Sequence, residues 1–264
     1  MTSSPVAVMA RERGIPLLQP AKASEPWFGD ALRELDVDAA VIVAWGCLIP
    51  QRLLDVPRFG WVNLHYSLLP AWRGAAPVQR AIMAGETTTG VTTMRLVREL
   101  DAGPVWRQQS VAIGDDETAG ELMNRLSAIG AETLVDTMPD VEAGVEPTPQ
   151  PTEGVRLAPK VTPDDARIDW TQPATRVRAL VRGVTPAPGA WTMLGDARLK
   201  VVSVDFAGED GLAPGELAAS KHFVLVGTGD AALKLVTVQA VGKPVMSAAD
   251  WARGARLDAG VRLA

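Results

Sequence analysis

Proline is concentrated in one short part of this 264-residue sequence, between positions 144 and 163. Five prolines stand there: Pro147, Pro149, Pro151, Pro159 and Pro163. Proline fixes φ and lacks a backbone N–H, so such a run is excluded from helix interiors and forms a stiff, extended connector. We therefore predict a linker at residues 146–165 that joins a first domain, residues 1–145, to a second domain, residues 166–264.

The first domain has the alternating pattern of an α/β fold. Residues 37–45 are almost all apolar and include Val41, Ile42 and Val43, which predicts a strand buried on both faces. Asp116 is predicted to cap a long helix. Other predicted elements are strands at residues 60–65, 90–97 and 105–113 and helices at residues 26–35 and 76–84. We expect an open, twisted, mostly parallel sheet of the Rossmann-like kind, covered by helices.

Short strands and turns dominate the second domain. Apolar β runs at residues 199–206, 223–227 and 233–238 are separated by Gly/Asp turns, which predicts a small, OB-like β-barrel. The run from Gly227 to Asp230 resembles a phosphate-binding loop, but it lacks the Lys-Ser/Thr pair and does not open a helix. A hairpin turn is therefore the better interpretation.

Charge is divided unevenly along the chain. Residues 1–165 carry 14 Lys and Arg against 22 Asp and Glu, giving −8, whereas residues 166–264 carry 12 against 9, giving +3. A basic second domain is compatible with a polyanionic partner, but +3 is modest, and an ordinary solvated surface remains open.

Composition excludes several classes of protein. The single cysteine, Cys47, forms no internal disulfide, and with two histidines the chain has no Cys-rich zinc spacing. No apolar run reaches the ~20 residues of a membrane span, and the first residues do not resemble a secretory signal. We expect a cytosolic protein without a structural metal.

Three side chains are candidates for chemistry. Asn63 and His65 alternate along one predicted strand, so both point to the same side near its carboxyl end, where open α/β sheets bind ligands. An amide and an imidazole there can stabilise an oxyanion. Asp101 begins a Gly/Pro turn, and a carboxylate close to His65 would orient the ring. A structural histidine and a turn-forming aspartate remain the alternatives, because the sequence does not establish that the two are close.

Two consecutive motifs resemble a known family. The run Asn63-Leu64-His65-Tyr66-Ser67-Leu68-Leu69-Pro70 resembles the signature of formyltransferases that use 10-formyltetrahydrofolate. The next stretch, residues 72–82, resembles the methionyl-tRNA branch of that family more than the glycinamide ribonucleotide or nucleotide-sugar branches. Further similarity lies at residues 89–92, 100–104, 158–160, 167–170, 242–244 and 246–250, so it covers essentially the whole chain.

The resemblance implies formyl transfer from 10-formyltetrahydrofolate to the amino group of methionyl-tRNA, without a metal, by a protein that is monomeric when complete. Asn63 and protonated His65 would stabilise the oxyanion, and Asp101 would keep His65 charged. The implied folate-binding residues are Trp45, Gly46, Cys47, Leu48, Ile49, Ser67, Leu68, Leu69 and Pro70. The implied tRNA-binding residues are Arg73, Arg176, Arg178, Arg182 and Lys243.

The sequence also departs from the family. By this resemblance, the first residues match family sequence just after its first strand-helix-strand unit, which holds a Gly-Thr-Pro turn and a basic loop, so we expect that unit to be absent here. Ala71 replaces a common arginine, and Trp45 and Cys47 are unusual in the folate-pocket strand. We expect the chain alone to fold or work poorly, and to bind tRNA weakly and with strong salt dependence. A nucleotide-linked amino sugar as acceptor, and a truncated remnant or RNA-binding module, stay as alternatives.

Overall fold

A computed structural model describes residues 4–46, 49–208, 211–255, 257 and 260–264 of the chain. The first part of the chain forms one four-stranded sheet with helices packed against it. Its helices are α1 (Pro5–Glu12), α2 (Pro26–Glu34), α3 (Gln51–Leu54), α4 (Pro77–Met83) and α5 (Ala119–Glu142), and its strands are β1 (Ala40–Val43), β2 (Trp61–His65), β3 (Thr88–Arg95) and β4 (Val105–Ala112).

The strands follow the order β1-β2-β3-β4, and only β1 and β2 run parallel. The β2–β3 and β3–β4 pairs are antiparallel. The α/β class is confirmed, but the expectation of a mostly parallel sheet holds only for the first pair. Residues 96–104, which join β3 to β4, are too few for the crossover that a parallel pair requires.

Strand β2 is buried along its whole length because hydrophobic clusters cover it from two sides. Leu64 packs in a cluster with Val78 and Ile82 of α4 and with residues of α5. Trp61 belongs to a second cluster with Ile42 and Leu53. This double cover fixes the strand that carries Asn63 and His65.

The cap of α5 differs from the predicted one. Thr118, not Asp116, is the N-cap residue, and it forms a reciprocal capping box with Glu121. A Thr-x-x-Glu pattern satisfies two free N–H groups at once, so it outcompetes a lone upstream aspartate.

The second part of the chain is a small barrel. It comprises strands β5 (Trp191–Leu194), β6 (Ala197–Gly208), β7 (Leu217–Ala219), β8 (Val224–Gly227), β9 (Ala232–Ala240) and β10 (Met246–Ser247), with helices α6 (Ala174–Gly183) and α7 (Ala248–Ala255). The sheet order is β5-β6-β9-β8-β7, and β10 pairs with β9. Leu263 bridges to Leu194 in β5, and Arg262 bridges to Glu216 beside β7, so the C-terminal residues close the sheet into a barrel.

The Gly227–Asp230 segment is a hairpin turn, as predicted. It joins β8 to β9, and Asp230 Oδ1 accepts a 2.8 Å hydrogen bond from the Ala174 N–H at the start of α6. The aspartate therefore caps a helix.

Strand β1 lies at the edge of the first sheet, where Val41 and Val43 are half exposed. Poor folding of the chain on its own, which we expected from such an edge, stays a prediction. Among the described residues, no helix is both long and apolar enough to cross a membrane.

Candidate active site

Asn63 and His65 lie side by side at the carboxyl end of β2. Their positions alternate along the strand, so both side chains point to one face. Both residues are buried, at 8% and 6% exposure, by the clusters that cover β2. The sequence-based placement of this pair is therefore correct.

His65 is held at both ring nitrogens. Its Nε2 lies 2.9 Å from the backbone oxygen of Trp72, which can only accept, so Nε2 carries a proton. Its Nδ1 lies 3.7 Å from Oδ2 of Asp101, an ion-pair distance that is longer than a hydrogen bond. Both nitrogens thus face acceptor atoms, one at hydrogen-bond distance and the other beyond it.

Asp101 reaches this position through an uncommon backbone conformation. Its φ is +49°, in the left-handed region, and its side chain is buried beside His65. Oδ2 accepts a 2.8 Å hydrogen bond from the Gly74 N–H. The small residues after Arg73 thus include a backbone donor that fixes the carboxylate.

Gly74 is required by its surroundings. Its φ is +126°, and a Cβ atom would lie 2.6 Å from the backbone oxygen of Ala158. The loop that follows Trp72 therefore packs against the linker backbone at a distance that only glycine permits. Sequence reasoning missed Trp72 and Gly74 as partners of His65 and Asp101, because both act through backbone atoms.

Side-chain hydrogen bonds hold the turn that follows β2. Ser67 Oγ donates to Ala71 O at 2.6 Å, and Thr92 Oγ1 donates to Ser67 O at 2.6 Å. Gln108 Nε2 donates to Leu69 O at 2.8 Å. The predicted folate residues Ser67, Leu68, Leu69 and Pro70 lie in this turn and do not line the cavity described next.

A cavity of about 400 Å³ opens in front of the three side chains. Trp45 and Gly46, which follow β1, line it together with Tyr66, Pro77 and Met123. Ile49 lines a smaller adjoining space of about 90 Å³ together with Asn63 and Asp101. Trp45, Gly46 and Ile49 are thus beside the site, whereas the predicted folate residues Cys47 and Leu48 lie outside the described residues.

Three of the predicted tRNA-binding arginines are committed to contacts inside the protein. Arg73 donates to Gln150 Oε1 through Nε and one terminal nitrogen, at 3.1 and 2.7 Å. Arg178 pairs with Asp116 and stacks over Phe206. Arg182 donates to the backbone oxygens of Gly114 and Glu117, at 2.8 and 3.0 Å.

Burial lowers the pKa of Arg182 below its ordinary value, and the charge of Arg178 adds to that effect. The two arginines thereby join α6 to the segment before α5. Arg176 and Lys243 are exposed, and Arg176 makes one 3.3 Å hydrogen bond to Ala84 O. Of the five predicted residues, these two are the ones the fold leaves on the surface.

Fold and site together define a formyltransferase. The formyl transferase family model matches residues 1–138, and the model for the C-terminal domain of formyl transferases matches residues 160–256. A methionyl-tRNA formyltransferase of Streptomyces coelicolor is 53% identical over 265 aligned residues, which cover 100% of this chain and 86% of the relative. This chain belongs to the methionyl-tRNA formyltransferase family.

Solved structures share the fold. A methionyl-tRNA formyltransferase from Clostridium thermocellum superposes with a TM-score of 0.58 at 15% identity, covering 89% of this chain and 92% of that one. HypX from Aquifex aeolicus, solved with tetrahydrofolic acid, gives a TM-score of 0.67 at 22% identity, covering 86% of this chain and 41% of that one.

Proposed function

We propose that this protein transfers a formyl group from 10-formyltetrahydrofolate to the α-amino group of methionyl-tRNA, for translation initiation. The observation that carries the proposal is the convergence of Asn63, His65 and Asp101 on one cavity at the carboxyl end of β2. The 53% identity to a methionyl-tRNA formyltransferase along the whole chain supports the choice of acceptor.

The chemistry needs an oxyanion to be stabilised. The neutral amine attacks the formyl carbon, a new carbon–nitrogen bond forms, and the bond to the folate nitrogen breaks. Asn63 can donate from its side-chain amide to the formyl oxygen as it gains charge, and His65 can donate from Nδ1, which lies 3.7 Å from Asp101 and so beyond hydrogen-bond distance. In the net reaction, the proton lost by the amine replaces the formyl group on the folate nitrogen, so no covalent enzyme intermediate is needed.

Asp101 serves the same step through His65. Its carboxylate lies beside Nδ1 and orients the ring, while Trp72 O accepts from the opposite nitrogen. With both contacts the ring keeps one orientation and needs no rearrangement as charge develops.

The walls of the cavity suit the formyl-bearing end of a folate. Apolar and aromatic side chains such as Trp45, Tyr66 and Met123 surround the polar side chains of the site. This is the usual composition of a small-molecule site. We propose that Trp45, Gly46 and Ile49 contact the folate, and that the turn of residues 67–70 fixes the strand end behind it.

We propose a division of labour between residues 1–145, which carry the chemistry, and residues 166–264, which contact tRNA, with the linker at 146–165. Arg176 and Lys243 are the exposed basic residues on which tRNA contact depends most in this proposal. Arg73, Arg178 and Arg182 contribute mainly by holding the parts of the protein together. We also propose a cytoplasmic location, where methionyl-tRNA is charged for the ribosome.

The test is a comparison of acceptors. The protein is incubated with 10-formyltetrahydrofolate labelled in the formyl group and with methionyl-tRNA, uncharged tRNA or a nucleotide-linked amino sugar. We expect label only in methionyl-tRNA, and at a low rate, since we expect the chain on its own to work poorly. Label in the amino sugar instead, or in no acceptor, would overturn the proposal.

A further inference from the structure

Gln150 is a linker residue that reaches into the active-site loops. It lies between two prolines, and the linker at this point is anchored to β4 by a pair of hydrogen bonds between the backbones of Val105 and Thr148, at 2.7 and 2.8 Å. The Gln150 side chain is partly buried against the first domain. Sequence reasoning named no residue of this segment as part of the catalytic site.

The side chain uses its full hydrogen-bonding capacity. Nε2 donates to the backbone oxygens of Asp101 and Gly103, at 2.9 and 2.7 Å. Oε1 accepts from Nε and a terminal nitrogen of Arg73, at 3.1 and 2.7 Å. An amide offers two donor hydrogens and two acceptor positions, and all four are satisfied here. The reverse orientation would place Oε1 against two carbonyls, so the assignment is determined.

These contacts join the two loops that hold His65. One loop carries Asp101, whose left-handed backbone needs support from its surroundings. The other carries Arg73, which lies between Trp72, whose oxygen accepts from His65, and Gly74, whose N–H binds the Asp101 carboxylate. Gln150 therefore connects the loop of Asp101 with the loop of Trp72, the two residues that contact the His65 ring.

We propose that Gln150 is a positioning residue, which keeps the Asp101 carboxylate at its place beside His65 Nδ1. This inference rests on the proposed function, because it concerns the same reaction. Without the amide, the Asp101 turn loses two of its supports and the carboxylate moves relative to the ring. A shift of about 1 Å in a catalytic group lowers turnover by as much as ~10²-fold.

The linker backbone holds the neighbouring loop independently of Gln150. Arg73 N donates to Arg156 O at 2.9 Å, Ala158 N donates to Arg73 O at 2.7 Å, and Ala76 N donates to Ala158 O at 3.1 Å. The Arg156 guanidinium also stacks over Trp72, 4.6 Å from the ring centre. A change at position 150 therefore leaves the linker docked and tests positioning alone.

The experiment uses Gln150→Met, which keeps the length of the side chain and removes the amide, with the exposed linker change Glu153→Leu as a matched control. Formylation of methionyl-tRNA is measured for both and for wild type. We expect Gln150→Met to lower kcat about tenfold or more while KM for each substrate changes less than about threefold. Glu153→Leu should behave as wild type.

A double variant separates positioning from a direct role. If Gln150 acts through Asp101, adding Gln150→Met to Asp101→Asn lowers kcat by less than about twofold further. Full additivity of the two changes, or a kcat for Gln150→Met within about twofold of wild type, would overturn the inference. Should Gln150→Met not fold, Gln150→Glu decides by the same criteria, since it keeps an acceptor for Arg73 and loses the donors to the Asp101 loop. Absence of activity in the wild type would instead count against the proposed function.

Discussion

The backbone N–H of Gly74 donates to Oδ2 of Asp101 at 2.8 Å, and the same oxygen lies 3.7 Å from Nδ1 of His65. A glycine in one loop thus fixes a carboxylate from another, and the same carboxylate faces the imidazole ring. Since Gly74 cannot accommodate a Cβ atom beside Ala158 O, the linker backbone is part of the same arrangement.

Gly74→Ala should damage both stability and catalysis. The added Cβ would lie 2.6 Å from Ala158 O, and alanine at this position would have to adopt a φ of +126°. The loop therefore shifts, and the hydrogen bond from the residue 74 N–H to Asp101 is lost. We expect a stability loss of about 1–3 kcal/mol and a kcat at least about tenfold lower. Thermal melts and initial rates measure both.

The control for this change is Gly85→Ala. Gly85 also has positive φ, at +79°, but a Cβ there meets nothing within 4 Å. The Gly85→Ala variant should lose only the stability that an alanine with positive φ costs, and its kcat should stay unchanged. Equal loss of kcat in both variants would contradict the role of Gly74 in holding Asp101.

Arg182→Met should destabilise the protein without a specific effect on chemistry. Its guanidinium supplies hydrogen bonds to Gly114 O and Glu117 O, and their loss leaves two carbonyls without these donors. We expect the free energy of unfolding to fall by about 1–3 kcal/mol in denaturant titrations. Arg176→Met, which removes one exposed contact, should change the free energy of unfolding little. A larger loss for Arg176→Met than for Arg182→Met would contradict the structural role of Arg182.

Much of the site follows from local sequence, and the rest depends on distant partners. The two-residue alternation of a strand places Asn63 and His65 together without knowledge of the fold. The approach of Asp101 depends on the pairing of β2 with β3 and on a left-handed turn, which no local pattern determines.

The arginines illustrate the same limit. A run of basic residues in α6 resembles a polyanion-binding face, yet Arg182 contacts Gly114 and Glu117, which are far away in sequence. Charge pattern alone does not distinguish an interdomain contact from an exposed one. The prediction of a mostly parallel sheet failed for a related reason. The α/β alternation does not determine whether β3 and β4 run parallel or antiparallel to their neighbours.

Lys243→Met and Arg176→Met should weaken tRNA binding. Both residues are exposed and basic, and removing a phosphate contact raises KM for methionyl-tRNA and lowers the slope of binding against salt by about one. KM is measured at several salt concentrations, and kcat should stay unchanged. Lys22→Met, which alters an exposed lysine of the first domain, is the control. Affinity that does not change between low and moderate salt would contradict the proposed contact.

The Glu117–Arg125 pair should make stability depend on acid pH. Hydrogen bonds from the Arg125 side chain lower the pKa of the Glu117 carboxyl below its ordinary value, against the opposing effect of burial. Because the folded pKa is the lower one, the carboxylate stabilises the native state above the ordinary glutamate pKa, and this contribution is lost as pH falls through the folded value.

Glu117→Gln removes that dependence. We expect its free energy of unfolding to lie below wild type near neutral pH and to converge with wild type as the solution is acidified below the ordinary glutamate pKa of 4.5. Chemical denaturation from neutral to strongly acid pH measures the difference. A gap between the two proteins that is constant across the whole range would show that the ion pair is not its source.

The most direct test of the catalytic mechanism is the rate of formyl-methionyl-tRNA formation by His65→Ala at saturating 10-formyltetrahydrofolate. In the proposed mechanism the imidazole, which lies beside Asp101, donates to the formyl oxygen, so its loss should lower kcat by about 10²-fold or more, with the thermal melt retained. Turnover close to that of the wild type would remove His65 from the mechanism and, with it, the catalytic roles of Asp101 and Gly74.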